Sequence, residues 1–155
     1  MATQGIPKQV DFSIVEEIWG KTLLSDGTIV DTRVILQDLL VLSEDPFMGP
    51  AVSLGPIIAV RTKATPEMIE KFKGKAIRKE IIFPFTAEAG YEKIDVERNI
   101  KPTISTYLFN EYLLTITLEI IFVARNNLYR SENGAPLYML RWSIAPKVTK
   151  AKAST

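Results

Sequence analysis

The chain has 155 residues, 46% of them hydrophobic and 24% charged, with a formal net charge of +1. That length and balance predict a single globular domain with its own core, outside the disordered class. They give no overall charge argument for nucleic acid, membrane or acidic partners. There is no histidine and no cysteine, which excludes the usual neutral-pH general base, the common zinc and copper ligands, thiol chemistry and disulfides.

The opening Met1-Ala2-Thr3-Gln4-Gly5 lacks the basic start and apolar run of a signal peptide. The longest apolar stretch, Leu113 to Ala124, is broken by threonines and Glu119. It is shorter than the ~20 residues a membrane helix needs. The expectation is a cytoplasmic protein with no membrane insertion. Three glutamines beside abundant Ile, Val, Lys and Glu give a thermophile-like composition.

In chain order, Asp11 to Leu42 reads as a hairpin turning at Ser25-Asp26-Gly27, because Asp-Gly tolerates the positive φ of hairpin turns. A two-residue Asp26-Gly27 loop sets Trp19 opposite Val34, Leu23 opposite Val30 and Lys21 across from Thr32. Val30, Val34, Leu36, Leu40 and Leu42 then share one face, with Asp38 as the misfit. The β-branched residues of Ile29 to Ile35 favour a strand there over the alternative, a helix across Val34 to Leu42. Glu44 to Pro56 carries Pro46, Gly49, Pro50, Gly55 and Pro56 and is expected to be a loop. Phe47 and Met48 within it either tuck into the core edge or cover a barrel opening, or form a contact surface for a protein partner.

Ile57 to Arg61 is a predicted strand, followed by one short helix near 66–73. Thr65 is its N-cap, Pro66 its first residue, and Glu67 complements the dipole. Met68, Ile69 and Phe72 form an apolar stripe, and Gly74 supplies a left-handed stop. Ala76 to Phe83, Tyr91 to Glu97 and Thr103 to Phe109 are expected to be extended. In the last hairpin Leu114, Ile116, Leu118, Ile120 and Phe122 alternate with Thr115, Thr117 and Glu119, the period of a sheet with one buried face. A three-residue loop with Gly134 left-handed would pair Leu128 with Tyr138, Ala124 with Trp142 and Phe122 with Ile144, uniting the apolar faces. Tyr138, Leu140, Trp142 and Ile144 then share the inward parity.

These elements predict a mainly β fold, barrel-like or a strongly twisted antiparallel sheet, with one short α-helix. The domain is expected over 1–146, with 147–155 as a flexible basic tail. No sequence repeat is apparent, although the Asp26-Gly27 and Asn133-Gly134 turns are similar devices.

No catalytic motif, phosphate loop, metal site or cofactor site is readable, so the expectation leans away from an enzyme. Glu67 and Glu70 on the helix serve the dipole and solvent. Glu88, Glu92, Asp95, Glu97, Glu111 and Glu119 are left as candidates for acid-only chemistry, Glu119 foremost because it interrupts the non-core face of the strongest strand.

Charge is segregated: Asp11 to Asp45 holds eight acids against Lys21 and Arg33, while Arg61 to Glu80 holds seven bases against three acids. Lys71, Lys73, Lys75, Arg78 and Lys79, with Tyr129, Arg130 and Lys147, are the candidate nucleic-acid contacts, since cations interleaved with aromatics can bind phosphates and stack bases. The first expectation is a non-enzymatic protein-interaction or self-assembly domain, whose partner is a second copy or another protein. The alternatives are a nucleic-acid-binding small β-barrel and a small-ligand-binding barrel.

Overall fold

Two long hairpins, one in each of two sheets, carry about half of the chain. The structure, a computed structural model, describes residues 6–80 and 82–151. The strands are β1 (Lys8–Gln9), β2 (Ser13–Ile18), β3 (Gly20–Leu24), β4 (Ile29–Asp45), β5 (Gly49–Lys63), β6 (Ala76–Ile77), β7 (Tyr91–Lys93), β8 (Val96–Lys101), β9 (Thr103–Phe109), β10 (Tyr112–Arg130) and β11 (Pro136–Lys150). Among the described residues the one helix is α1 (Pro66–Phe72). The fold is therefore mainly antiparallel β with one short helix, as the sequence predicts. One sheet runs β5-β4-β3-β8, with β1 beside the far half of β4. The other runs β11-β10-β9-β2, with β6 and β7 along the far half of β10.

The chain follows the same course twice. The run β2-β3-β4-β5 starts in the second sheet and crosses to the first, whereas β8-β9-β10-β11 starts in the first and crosses to the second. Exchanging the two runs maps the β3–β8 pairing onto the β9–β2 pairing. In this topological repeat the counterpart of the Asp26-Gly27 turn is the Asn110-Glu111 turn, where Asn110 has φ 50°. The Asn133-Gly134 turn corresponds to Pro46-Phe47-Met48. The two turns that look alike in sequence are thus not equivalent, which is why no repeat is visible there.

The crossing is one bent ribbon, paired from Ser13 with Leu108 to Leu24 with Val96. It bends at Trp19-Gly20 against Pro102-Thr103. A Cβ on Gly20 would lie 1.9 Å from the Thr103 Oγ1 and 2.7 Å from the Thr103 backbone nitrogen. The Thr103 hydroxyl also sits 2.6 Å from that of Thr32, tying the bend to β4.

Bulges correct several sequence expectations. The first turn is a three-residue loop, closed by Leu24 N–H and Gly27 N–H bonds, so Leu23 pairs with Ile29 and Lys21 with Asp31, one residue from the expected register. Asp38, the apparent misfit, marks a bulge between Leu36 and Asp38. Past it, Leu39 is buried and Leu42 exposed, and Asp38 takes a hydrogen bond from Gln9 outside. Glu44 to Pro56 is strand except for the three-residue turn. Its prolines are tolerated because β5 is an edge strand with free N–H positions, and Gly55 lies against Asp38 at the bulge.

In the second hairpin Gly134 is left-handed, with φ 88°, in the expected three-residue loop. The register holds only for Arg130 with Pro136. Asn127, Leu128 and Tyr129 then bulge, because the fully buried Asn126 amide oxygen accepts the Leu128 and Tyr129 N–H groups while its nitrogen donates to Ala89. Ala124 therefore pairs with Met139, and Phe122 with Arg141. A further bulge at Ile121 hands the inward face from Ile120 to Val123, which leaves Phe122 half-buried and Trp142 at the surface. β11 continues through Lys150, so the first four residues expected in the tail pair with Tyr112 to Thr115; residues 152–155 lie outside the described residues. Of Ala76 to Phe83 only Ala76–Ile77 is strand among the described residues, and Ile81 lies outside them.

The core lies between the sheets: Leu24, Val30, Val34, Leu36 and Leu39 meet Tyr107, Phe109, Leu114, Ile116, Leu118, Ile120 and Val123. Thr65 caps α1 by accepting Met68 N–H, and the helix buries Met68 and Phe72 but leaves Ile69 partly exposed. Ile120→Asp puts an unpaired carboxylate into this dry layer and costs several kcal/mol, of a typical total of ~5–15. Thr117→Asp, on the exposed outer face, costs less than about 1 kcal/mol. Thermal melts of the two separate these outcomes. Gly20→Ala is expected to fail to fold or to melt far lower. Adding Thr103→Ala does not restore it, because the obstructing backbone nitrogen remains.

Candidate functional site

The β4–β5 hairpin ends in a short ordered turn. The Asp45 carboxylate accepts the N–H of Phe47 at 2.7 Å and of Met48 at 3.1 Å, and Gly49 closes the turn at φ 79°. These two bonds hold the Asp45 carboxyl below its ordinary range. Asp residues commonly order turns this way. The turn presents Phe47 fully exposed and Met48 87% exposed. The expectation that they cover the core edge or a barrel opening is thereby corrected. Tyr112, Val148 and Lys150 flank the same end.

Of the expected nucleic-acid contacts, the fold brings together Lys75, Arg78, Lys79, Tyr129 and Arg130. Most are occupied by one another or by the backbone. Lys75 Nζ bonds the Asn127 carbonyl, Arg130 Nε the Lys75 carbonyl at 2.9 Å, and Lys79 pairs with Glu132 at 2.9 Å. The Arg78 guanidinium lies 4.7 Å from the Tyr129 ring centre. Lys71 and Lys73 stand exposed on and just after α1. Lys147 is separate, opposite Thr115 at the other end of the β10–β11 hairpin.

A second basic surface is assembled by the register of the first sheet. Cross-strand neighbours share a face, so Lys101, Lys21, Asp31 and Arg61 form one row, and Arg98, Leu23, Ile29 and Lys63 the next. Asp31 is fully buried beneath this row, with Arg61 Nε at 2.7 Å, Lys63 Nζ at 3.2 Å and Lys21 Nζ at 3.8 Å. Burial raises its carboxyl, but the hydrogen bonds and charges of Arg61, Lys63 and Lys21 outweigh that and hold it low. Arg61 stacks 4.3 Å from the Trp19 ring centre, and Arg33 lies 5.9 Å from it. Arg33 also pairs with Glu17 at 3.0 Å. Glu17 in turn accepts the Tyr107 hydroxyl at 2.6 Å, and burial together with that carboxylate pushes the hydroxyl up to about 12.

Sequence reasoning missed this surface because its cations come from four strands. The local signals were the alternations Asp31-x-Arg33 and Arg61-x-Lys63, readable as one face only once the pairing is known.

A buried polar cluster closes the end of the sandwich near α1. Asp26 accepts Tyr138 Oη at 2.5 Å, Arg125 Nη1 at 3.1 Å and the Thr28 N–H at 2.9 Å. Arg125 also reaches Glu92 at 3.4 Å and Asn127 at 2.8 Å, with Phe72 beside its guanidinium. Every strong donor here is matched, so the cluster joins both sheets and the helix rather than facing a substrate. Glu92 is thus engaged, whereas Glu119 is exposed opposite Ser143 on the outer face. Among the described residues no three acidic side chains converge to hold a metal ion. An open apolar groove of about 490 Å³, lined by Val60, Ile82, Phe85, Leu140 and Trp142, runs between the free edges of β5 and β11.

No family model, curated protein or solved structure matches the chain.

The Asp26 carboxyl feels burial, which raises it, but the bonds from Tyr138, Thr28 and Arg125 outweigh burial and place it below its ordinary 3.8. A carboxylate lowered on folding contributes stability that is present above the unfolded value and lost as pH falls through the folded one. Asp26→Asn leaves Arg125 without its buried partner and is expected to cost about 3–5 kcal/mol at pH 7. The melting curves of variant and wild type then converge as pH drops below 3.8. A constant difference down to pH ~2 contradicts this account.

Proposed function

We propose that the chain is a binding domain rather than an enzyme, and that it engages a protein partner through the tip of the β4–β5 hairpin. The observation that carries this reading is the fully exposed Phe47, held beside Met48 on a turn ordered by Asp45. An ordered turn that holds two large apolar side chains in water gains nothing for folding, whereas burial in an interface is worth ~1.5–3 kcal/mol for each. The hairpin pre-forms this contact, so little ordering is needed on binding. The partner is a second copy or another protein with an apolar recess.

The test is sedimentation of the purified protein over a concentration series, together with identification of any stably copurifying protein. Phe47→Ser with Met48→Ser is expected to weaken self-association or partner retention at least about a hundredfold. The melting temperature should stay nearly unchanged, because neither side chain packs on the core. A strict monomer with no copurifying protein, before any substitution, refutes the reading.

A further inference from the structure

We propose that the outer face of the β5-β4-β3-β8 sheet binds a single-stranded nucleic acid, with Trp19 and Arg61 as the stacking platform. Six cations share this face: Lys21, Arg33, Arg61, Lys63, Arg98 and Lys101. They stand against two carboxylates, Asp31 buried beneath them and Glu17 already engaged by Arg33 and Tyr107. Glu97 lies at a bulge on the rim, next to Arg98. Among the described residues Arg98 and Lys101 have no ion-pair partner. Four strands at about 4.8 Å spacing make the face about 14 Å wide.

The arrangement favours a phosphodiester chain over a merely acidic partner. Asp31 gathers three like charges around one buried carboxylate, so the excess positive charge is fixed in place before any ligand arrives. The planar Arg61 guanidinium lies over the Trp19 indole, and bases stack on both kinds of surface. Lys63, Arg98, Lys21 and Lys101 stand on the same face, in the row of Arg61 and the row beside it. A broad sheet face does not fit the major groove, which admits a helix or a two-stranded ribbon. Only an unpaired strand can offer its bases to Trp19. The face lies roughly 40 Å along the hairpin from Phe47, at ~3.3 Å per residue, so it is independent of the tip contact.

The chain's two tryptophans are Trp19 and Trp142, and Trp142 lies on the other sheet. In a Trp142→Phe protein, indole fluorescence therefore reports on Trp19 alone. Titration with a short oligothymidylate at ~50 mM salt is expected to quench it saturably. With about three phosphates engaged, log affinity falls against log salt with a slope near −2. Arg98→Gln with Lys101→Gln removes two unpaired surface cations without touching the core. It is expected to weaken binding at least tenfold and to reduce the slope by about one. Anisotropy of a labelled oligonucleotide on the unsubstituted protein gives a second readout that does not depend on Trp142→Phe. Oligouridylate in parallel shows whether RNA or DNA is preferred. The proposal is overturned by no binding at that salt, or by affinity unchanged in Arg98→Gln/Lys101→Gln. It is equally overturned if Lys71→Gln/Lys73→Gln abolishes binding instead, or if polyglutamate or anionic vesicles bind as tightly as oligothymidylate. Because Phe47→Ser/Met48→Ser leaves this face intact, the two proposals fail separately.

Discussion

Everything in this molecule depends on two strands passing at a distance that only a glycine allows. Where the β2–β3 strand bends across β8–β9, the position of a Gly20 Cβ is already occupied by Thr103. That contact lets one ribbon serve both sheets. Each long hairpin then grows from its own half of the ribbon, and the apolar faces of β4 and β10 meet over the core. A side chain at Gly20 would force the halves apart and uncover both faces together.

The polar interior follows from the same geometry. At one end Asp26, Tyr138 and Arg125 bind a turn of the first sheet to both strands of the second hairpin. Nearer the bend, Tyr107 accepts the Leu36 N–H and donates to Glu17. These groups come from distant segments, and each satisfies a donor or acceptor that would be costly to bury alone. The outer face of the first sheet differs from these clusters, because its cations outnumber the carboxylates that hold them.

Local chemistry was readable from the sequence where local chemistry decides. The Thr65 cap, Pro66 and Gly74 delimit the helix to within a residue, Thr103–Phe109 is a strand over its expected span, and Gly134 takes its left-handed role. Registers were not readable, because a bulge can rest on a remote partner, as the Asn126 amide rests on the Ala89 carbonyl. Asp38 did carry a signal, since a charged residue on an apolar parity is what an unrecognised bulge leaves behind. The prolines of β5 misled in the opposite direction, for an edge strand needs only half of its N–H groups. Phe47 and Met48 stand out in the sequence as apolar residues in an irregular stretch, but their full projection into water depends on the length of β4. The Trp19 face was invisible for the same reason as the repeat. Both exist only between strands far apart in sequence.

The bent ribbon also sets the order in which the molecule can assemble. Thr22 and Asn99 meet across 77 positions of chain, and closing a loop of that size costs about 4 kcal/mol in the logarithmic entropy term alone. Because β2–β9 and β3–β8 lie along one ribbon, that loss is incurred once and each sheet receives its fourth strand from the same event. The two long hairpins can form beforehand from neighbouring residues, yet neither gains its opposing apolar layer until the ribbon zips. Assembly therefore has a late, non-local step on which both halves wait, and such topologies fold slowly for their size.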